Sequence, residues 1–341
     1  MCLEMSIREI EELFAKDLHE LGCLIKAEKI VTFSINAHIN YSNVCETKCK
    51  ICAYHRKKQF TLSVDEVVSE ALKAVKAGAT ELHIVGSHNP ELGIEYFEEI
   101  FRRISSQCSA TIKALTAAEV HYYAKKEKMS VREFLSRLKS AGLKILAGGG
   151  AEILVDSVRK EICPRKCNSE EWLRVMRIAH ENGIKSNATM LFGHVESKRH
   201  RAIHLYKLRK LQEKTGGFLA FIPLPFHPEG TEYSFKPSPV DILKTIAVSR
   251  LVLSNFKAIK AYWVMLGLEL AEIALSYGAN DLDGTVGYER IAHSAGAKTP
   301  VGLPAEDLIR LIRNANKIPA ERDAFFNILR VYEDREVRIC E

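Results

Sequence analysis

Hydrophobic and polar positions follow two periods that alternate along the chain from about residue 30 onward. Short apolar or β-branched runs predict strands, and each is followed by a loop and a segment with apolar residues at helical spacing. In one such segment, Ser63 and Glu66 predict a capped helix start, and Gly78 predicts its left-handed end. Segments beginning at Ser130 and Ser169 repeat the same pattern.

The strand-like runs number eight, and helical segments separate them. This order predicts parallel βαβ units closed into a single (β/α)8 TIM-type barrel, with a doubly wound open sheet as the alternative. The predicted organisation is an N-terminal helical extension (1–29), a barrel (30–300) and a C-terminal helical extension packed on the barrel (301–341). The predicted strands are Val31–Ile39, Glu81–Ser87, Thr111–Val120, Lys144–Ile153, Ile184–Gly193, Phe218–Phe226, Ala258–Leu266 and Leu282–Val286.

Polar side chains concentrate near the carboxyl ends of these predicted strands. Barrels of this type place their active sites at that face, because the loops after the strands meet there. Each residue alone is compatible with a structural role, but their shared position predicts a site. They are Asn36, His38, Ser87, His88, Thr116, Glu119, Glu152, His194, Glu196 and His227.

Composition excludes several classes of protein. The 341 residues are 47% hydrophobic and 27% charged, with a net charge of +6, which is ordinary for a globular protein. No basic stripe is interleaved with aromatic residues, so nucleic-acid binding is not expected. We find no secretion signal and no apolar run of membrane-spanning length, which predicts a cytoplasmic protein without membrane insertion. The nine cysteines are odd in number and unevenly spaced, which favours metal or redox chemistry over disulfides.

Three of the cysteines, Cys45, Cys49 and Cys52, fall within eight residues. Charged neighbours such as Lys48 argue against a purely apolar packing role. A structural zinc site with His55 as fourth ligand would make the chain a zinc-stabilised interaction scaffold. A [4Fe–4S] cluster with three protein ligands would instead leave one iron open for chemistry. Cys163 and Cys167 are too few to hold a second cluster.

The motif "CETKCKIC" resembles that of the radical S-adenosylmethionine (SAM) enzymes. The resemblance implies that Cys45, Cys49 and Cys52 bind a [4Fe–4S] cluster whose fourth iron takes the amino and carboxylate groups of SAM. The family usually has an aromatic residue before the last cysteine, where this chain has Ile51. Tyr54 and His55 are close enough in sequence to replace that aromatic group beside the adenine.

Further segments resemble the SAM-binding motifs of the same family. "TMLFGHVE" keeps Gly193 and Glu196 in the register of the fifth-strand motif beside the adenine, and "VGSH" brings Gly86 and Ser87 to the turn that contacts the methionyl amine. This turn lacks the acidic residue that the family usually has there. The resemblance also implies that two carboxylates bind the ribose or amine of SAM, those of Glu119 and Glu152.

From about residue 30 to 300 the chain resembles aminodeoxyfutalosine synthases, with "GHVE" and "AYWVMLGLELA" as the most specific phrases. The implied reaction belongs to menaquinone biosynthesis. A 5′-deoxyadenosyl radical from SAM adds to 3-[(1-carboxyvinyl)oxy]benzoate and yields 6-amino-6-deoxyfutalosine, methionine and CO2. An electron donor such as flavodoxin or ferredoxin is implied as partner. The alternative within the family is cyclic dehypoxanthine futalosine synthase, in which the radical abstracts hydrogen.

The implied substrate, an enolpyruvyl benzoate, carries two carboxylates, so its site needs hydrogen-bond donors or positive charge. No residue is assigned a catalytic role. The candidates for substrate binding are Asn36, His38, His88, Thr116, His194 and His227.

Overall fold

The computed structural model describes residues 5–26, 28–287 and 289–333. Seven parallel strands pair in chain order and form one curled sheet. They are β2 (Asn36–Asn40), β3 (Glu81–Val85), β4 (Thr111–Thr116), β5 (Ile145–Ala147), β6 (Lys185–Phe192), β7 (Phe218–Pro225) and β8 (Ala258–Ile259).

Two more strands close this sheet into a ring. β1 (Ile30–Ser34) runs into β2 with only Ile35 between them, and it pairs in parallel with β9 (Asp281–Gly284). On the other side, Asn280 N donates to Ile259 O at 3.0 Å, which joins β9 to the end of β8. With β1 and β2 together as the first position, the ring has eight strand positions. The predicted (β/α)8 barrel is therefore confirmed, and the open sheet is not observed.

Helices connect successive strands and pack around the ring. The first two, α1 and α2, precede the barrel and lie against α9 and α10. The helices are α1 (Ile7–Ala15), α2 (Leu18–Leu24), α3 (Val64–Lys76), α4 (Ile94–Gln107), α5 (Ala117–Lys126), α6 (Val131–Ala141), α7 (Asp156–Ile162), α8 (Ser169–Glu181), α9 (Lys198–Thr215), α10 (Pro239–Val252), α11 (Trp263–Leu266), α12 (Leu268–Ala274), α13 (Ile291–Ser294) and α14 (Ala305–Asn314). Short 3-10 turns cover Tyr54–Arg56 and Leu275–Tyr277.

The predicted helix caps are mostly confirmed. Ser63 and Glu66 form a capping box at the start of α3, and Ser130 caps α6. At α8 the cap is Asn168 rather than Ser169, because the Ser169 hydroxyl donates to Asp156 instead. No helix in the described part of the chain is long and apolar enough to span a bilayer.

Several predicted strands end earlier than their apolar runs. The run from Thr111 continues as helix α5, because the Thr116 side chain caps that helix. The run from Lys144 ends at Ala147, where three glycines follow. The run from Ala258 is extended for two residues, and Trp263 begins a short helix. An apolar run indicates that a segment is buried, but it does not show that the segment is a strand, because the helices and loops that cover the barrel mouth are buried as well.

The C-terminal extension was predicted to be helical, and this prediction is wrong for residues 318–333. After α14 the chain forms β10 (Ile318–Arg322), parallel to β1, and β11 (Ile328–Val331), antiparallel to β10. The reason is tertiary: β10 pairs with the free edge of β1 and carries Arg322 into a buried network of carboxylates. Residues 334–341 lie outside the described part. The predicted domain boundaries stay a prediction.

Candidate active site

The carboxyl ends of the barrel strands surround a cavity of about 320 Å³, here called the central cavity. Strand ends and the loops after them supply its lining, as expected for a barrel. Most of the side chains proposed from sequence meet there. They are His38, Cys45, Cys49, Cys52, Tyr54, Gly86, Ser87, His88, Thr116, Glu119, Glu152 and His227.

The cysteine loop, residues 45–52, is held by backbone hydrogen bonds to two neighbouring loops. Glu46 N donates to His88 O at 2.9 Å, and Lys50 N donates to Ile162 O at 2.9 Å. Lys48, between the first two cysteines, has a φ of 46°, a left-handed conformation that is unfavourable for a lysine. Such strain persists only where surrounding contacts impose it, and it is often found at functional sites.

Asn43 shapes the chain on both sides of this loop. Its side-chain oxygen accepts from Phe60 N at 2.8 Å, and its amide donates to Tyr54 O at 3.2 Å and to Lys58 O at 3.0 Å. The amide therefore joins the end of β2 to the turn after the cysteines. This buried side chain thus helps to hold the segment that follows the three thiols.

The three thiols differ in exposure. Cys49 is buried, while Cys45 and Cys52 are partly exposed. Burial raises the pKa of the Cys52 thiol to about 11. A hydrogen bond with Cys163, together with burial, raises the pKa of Cys49. A bound metal would be needed to hold these sulfurs as thiolates at neutral pH, since metal binding displaces the thiol proton.

Across the described ranges, no group of three or more His, Cys, Asp or Glu side chains is arranged to hold one metal ion. A structural zinc site needs four ligands around a single ion. In a [4Fe–4S] cluster each thiolate ligates its own iron, so the ligands need not converge on one point. Three thiols on one cavity wall fit such a cluster.

Glu119 joins three elements below the thiols. One carboxylate oxygen accepts from Tyr41 OH at 2.6 Å and Gly86 N at 3.0 Å, and the other accepts from Thr116 N at 2.7 Å. Gly86 is required by its surroundings, since a Cβ there would lie 2.7 Å from the Tyr41 ring. Glu119 thus positions the loops after β3 and β4, and its predicted contact with SAM stays a prediction.

After β5 the chain crosses the cavity wall as three consecutive glycines, which line it with backbone alone. A Cβ on Gly148 would lie 2.8 Å from the backbone of Ala188 in β6, so no other residue fits there. Glu152 follows with a φ of 45° and accepts from Lys166 Nζ at 2.6 Å. Burial disfavours the charged lysine, but Cys49 and Glu152 outweigh it and raise the pKa of Lys166.

Arg159, on α7, supports this wall from behind. The guanidinium is buried and donates to Cys167 O at 2.5 Å, to Gly150 O at 3.3 Å and to Ala151 O. These carbonyls would otherwise be buried without partners. Cys163 and Cys167 therefore belong to a loop that Arg159 orders, and Cys163 reaches the cluster site through Cys49.

A row of three polar residues crosses the deeper part of the cavity. In the sheet register His38 lies opposite His83, and His83 lies opposite Lys113. The two imidazole rings are 4.3 Å apart between centroids. Burial, and then the neighbouring His38, lower the pKa of His83 well below its ordinary value, so this histidine is neutral at pH 7.

Four residues predicted for the site lie outside the cavity lining: Asn36, Gly193, His194 and Glu196. Both oxygens of Glu196 accept backbone hydrogen bonds, from Gly193 N at 2.7 Å and His194 N at 3.0 Å. The Asn36 side chain accepts from Val286 N, just after β9, and donates to the Asp283 carboxylate. These residues shape the loops after β6 and β9, and the structure does not bring them to the cavity.

Unpaired polar atoms are concentrated at the cavity. Within the described residues, five buried side-chain nitrogen or oxygen atoms have no hydrogen-bond partner. Four belong to cavity-lining residues, and only His204 lies elsewhere. A buried polar atom without a hydrogen-bond partner lowers stability, so these atoms are candidates for hydrogen bonds to a ligand. The four are His38 Nε2, Tyr54 OH, His55 Nδ1 and His227 Nδ1.

Comparison with known proteins identifies the family. The profile of the radical SAM superfamily matches residues 39–206, and that of the CofH/MqnC C-terminal region matches residues 215–334. The aminodeoxyfutalosine synthase of Thermus thermophilus is 40% identical over 312 residues, covering 88% of this chain and 84% of that protein. The chain belongs to the radical SAM superfamily. It is therefore a radical SAM enzyme, and its cofactors are a [4Fe–4S] cluster and SAM, as predicted.

Other relatives of this radical SAM enzyme have different names. An Archaeoglobus fulgidus 5-amino-6-(D-ribitylamino)uracil–L-tyrosine 4-hydroxyphenyl transferase is 39% identical, covering 88% of this chain and 89% of its own. A Streptomyces coelicolor cyclic dehypoxanthine futalosine synthase is 37% identical, covering 93% and 83%. The FeFe-hydrogenase maturase HydG from Carboxydothermus hydrogenoformans shares the fold, with a TM-score of 0.72 at 17% identity over 95% of this chain and 77% of that one.

Sequence reasoning missed several cavity residues. His83 and Lys113 lie within strands rather than at their ends, so a search of strand ends could not find them. Polar residues at alternate strand positions were the available signal, since alternate residues face the inside of a barrel. Lys166 had no such signal, because it lies in the loop between α7 and α8. Further lining residues are Asn187, Thr189, Tyr262, Asp283 and Glu289.

Proposed function

We propose that this radical SAM enzyme is an aminodeoxyfutalosine synthase that joins the 5′-deoxyadenosyl group of SAM to 3-[(1-carboxyvinyl)oxy]benzoate. The observation that carries the proposal is the 40% identity to the Thermus thermophilus enzyme over 88% of the chain. The relatives named for other substrates are only slightly less similar, so the substrate must be tested directly.

In this proposal Cys45, Cys49 and Cys52 hold the [4Fe–4S] cluster. The bound cluster supplies the electron that cleaves SAM to methionine and the adenosyl radical. The protein binds and orients both substrates, and it keeps water and stray hydrogen donors from the reacting carbon. The enclosed cavity and its largely apolar walls suit that task.

SAM carries an ammonium and a carboxylate, and the cavity wall next to Cys49 carries both counter-charges. Glu152 is the acceptor for the ammonium, and Lys166 is the donor for the carboxylate. The two side chains lie 2.6 Å apart between oxygen and nitrogen and both line the cavity. Their mutual pairing keeps the wall neutral before SAM binds, since an isolated buried charge is costly.

The dicarboxylate substrate then occupies the side of the cavity away from this pair. His38 and His227 each present a nitrogen without a partner there, and Lys113 borders the same space. The unpaired nitrogen of His38, as an Nε2–H donor, and the Lys113 ammonium can position a carboxylate. His227 donates through Nε2 to Met265 O, so its free Nδ1 accepts a hydrogen bond from the ligand instead. His88 is buried, and its Nδ1 is hydrogen-bonded to Thr47 Oγ1, so we assign it to the support of the cysteine loop.

The test is a product analysis under anaerobic conditions. The reconstituted enzyme receives SAM, a low-potential reductant and 3-[(1-carboxyvinyl)oxy]benzoate. The products are separated by chromatography and their masses are measured by mass spectrometry. The expected product is 6-amino-6-deoxyfutalosine, formed with methionine and CO2.

A parallel reaction with dehypoxanthine futalosine is the control. Formation of 5′-deoxyadenosine and a cyclised product only from that compound would contradict the proposal and favour the other futalosine-pathway enzyme. The Cys49→Ser protein must give neither product, which ties either activity to the thiol site.

A further inference from the structure

Positive charge is concentrated on the outer face of the cysteine loop and the turn that follows it. Between residues 45 and 58 the chain has five cations, Lys48, Lys50, Arg56, Lys57 and Lys58, and all five are exposed. The only acid in that stretch is Glu46, and the whole chain of 341 residues has a net charge of only +6. A segment of fourteen residues therefore accounts for most of the net charge.

Most of these cations have no counter-charge of their own. Arg56 pairs with Glu232 at 2.7 Å, and the Glu46 carboxylate accepts from Tyr122 OH at 2.6 Å. Among the described residues, no ion pair within 4.0 Å involves the other four lysines or the exposed Arg165 of the neighbouring loop. We call Lys48, Lys50, Lys57, Lys58 and Arg165 the cationic rim.

Arg165 belongs to the same surface although it is more than a hundred residues away in sequence. A backbone hydrogen bond joins the two loops, since Lys50 N donates to Ile162 O at 2.9 Å, three residues before Arg165. Two loops from opposite parts of the barrel sequence therefore contribute to one positive surface.

This surface is continuous with the cysteine loop that would hold the cluster. Lys48 and Lys50 are the immediate neighbours of Cys49, and Cys45 and Cys52 are themselves partly exposed. On the other side of the thiols lies the central cavity, which must hold SAM and the substrate. Electron transfer slows steeply with distance, so an external donor is most effective when it docks over the cysteine loop.

The chemistry of the rim favours a protein partner over nucleic acid. The one aromatic residue between 45 and 58, Tyr54, is buried, so no exposed ring in that stretch could stack a base. Exposed lysines without ion-pair partners suit long-range attraction to an acidic surface, which accelerates encounter and orients the partner.

We propose that the cationic rim is the docking surface for an acidic one-electron carrier protein. In the step it serves, the reduced carrier loses one electron and the cluster-bearing enzyme gains it, and no bond or proton is exchanged. The inference rests on the radical SAM activity in the proposed function, but not on which substrate the enzyme uses.

The test compares two charge reversals of equal size. The rim variant is Lys57→Glu/Lys58→Glu. The control is Lys26→Glu/Lys29→Glu, since these exposed lysines precede β1 at the opposite end of the barrel. Binding of a purified flavodoxin and, separately, of a purified acidic ferredoxin is measured by calorimetry at low and high salt. Anaerobic stopped-flow absorbance then gives the rate of cluster reduction by each reduced carrier and by dithionite.

We expect the rim variant to bind the carrier about tenfold more weakly at low salt, with the difference disappearing at high salt as charges are screened. Its reduction by the carrier should slow in proportion, while reduction by dithionite stays at the wild-type rate. The control variant should match wild type in every measurement.

Equal binding by the rim and control variants would overturn the inference, as would failure of both carriers to bind the wild-type enzyme. A failure of the substrate proposal has a different signature. The enzyme would then make no adenosylated product from 3-[(1-carboxyvinyl)oxy]benzoate, but its carrier binding and reduction would still depend on the rim.

Discussion

The buried polar groups are fully paired at one end of the barrel interior and incompletely paired at the other. Near the amino ends of the strands, Arg322 is fully buried and donates to Asp281 at 2.6 Å, and its guanidinium lies 3.5 Å from Glu81. Glu81 also pairs with Lys113, and Lys260 pairs with Asp283. These six side chains, here called the floor network, contain three cations and three carboxylates. Every charge in it has a partner.

At the carboxyl ends of the strands the pairing is incomplete. Among the described residues, the lining of the central cavity has four buried polar atoms without hydrogen-bond partners. His38 marks the boundary: its Nε2 lies 3.9 Å from Asp283 of the floor network, beyond hydrogen-bond distance. Although burial alone would raise it, Lys260 and Lys113 hold the pKa of Asp283 well below its ordinary value.

This difference distinguishes polar groups that stabilise the fold from polar groups that are available to bind a ligand. A buried network in which every polar group has a partner carries no penalty for unpaired groups, and it favours one arrangement of the strands. Buried groups with unused capacity reduce stability until a ligand binds them. The pair of Arg322 and Asp281, which does not line the cavity, should therefore govern folding with little effect on ligand affinity, and the unpaired cavity atoms should do the reverse.

The largest effect is expected at the floor. Arg322→Met removes the cation that is hydrogen-bonded to the buried Asp281, and breaking a buried pair in this way costs about 3–5 kcal/mol. Equilibrium urea unfolding followed by circular dichroism should show that loss in the free energy of unfolding. Arg8→Met, which removes the exposed pair with Glu12, is the control and should change stability by less than about 1 kcal/mol. Similar small losses in both variants would contradict a structural role for the floor network.

An intermediate and opposite effect is expected at the cavity. Tyr54→Phe removes a buried hydroxyl that has no partner, so the free energy of unfolding should be unchanged or slightly higher. If the hydroxyl is reserved for a ligand, SAM or substrate should bind about fivefold more weakly, equivalent to about 1 kcal/mol. Calorimetry on the reconstituted enzyme measures both ligands. A stability loss without any change in affinity would show that the hydroxyl is structural.

The smallest effect is expected for the pair of His293 and Glu289, in which the histidine already has partners for both nitrogens. His293 Nδ1 lies 3.1 Å from Glu289 Oε2, and its Nε2 lies 3.0 Å from Thr299 O, so both nitrogens face acceptors. The hydrogen bond to Glu289, against the opposing effect of burial, raises the pKa of His293 to about 9. Because this pKa is raised, its contribution to stability is complete below pH 6.5 and is lost as pH rises through 9.

The corresponding experiment uses His293→Gln, which removes the titrating group. Wild type should be more stable than this variant by about 1 kcal/mol or less at pH 6.5, and the difference should vanish by about pH 9.5. Melting temperatures of both proteins across that range test the direction. A difference that grows with pH would contradict the assignment of a charged His293.

Much of the fold followed from local patterns. The capping signal at Ser63 and Glu66, the glycine stop at Gly78 and the eight apolar runs were sufficient for a barrel, because helix ends and strand periods depend on neighbours in sequence. The spacing of Cys45, Cys49 and Cys52 was likewise a local signal, and the family it indicated is confirmed. Strand lengths were less predictable, since a buried glycine loop and a buried strand have similar composition.

What only the tertiary structure decided involves partners that are distant in sequence. The strand β10 forms because β1 leaves an edge for it nearly three hundred residues earlier. Glu119 and Glu196 looked alike as carboxylates near strand ends, but folding brings Glu119 to the cavity wall and uses both oxygens of Glu196 on its own loop. His83, Lys113 and Lys166 reach the cavity for the same reason. Sequence determines which groups a chain offers, and the packing of distant strands determines which of them remain without a partner and can bind a ligand.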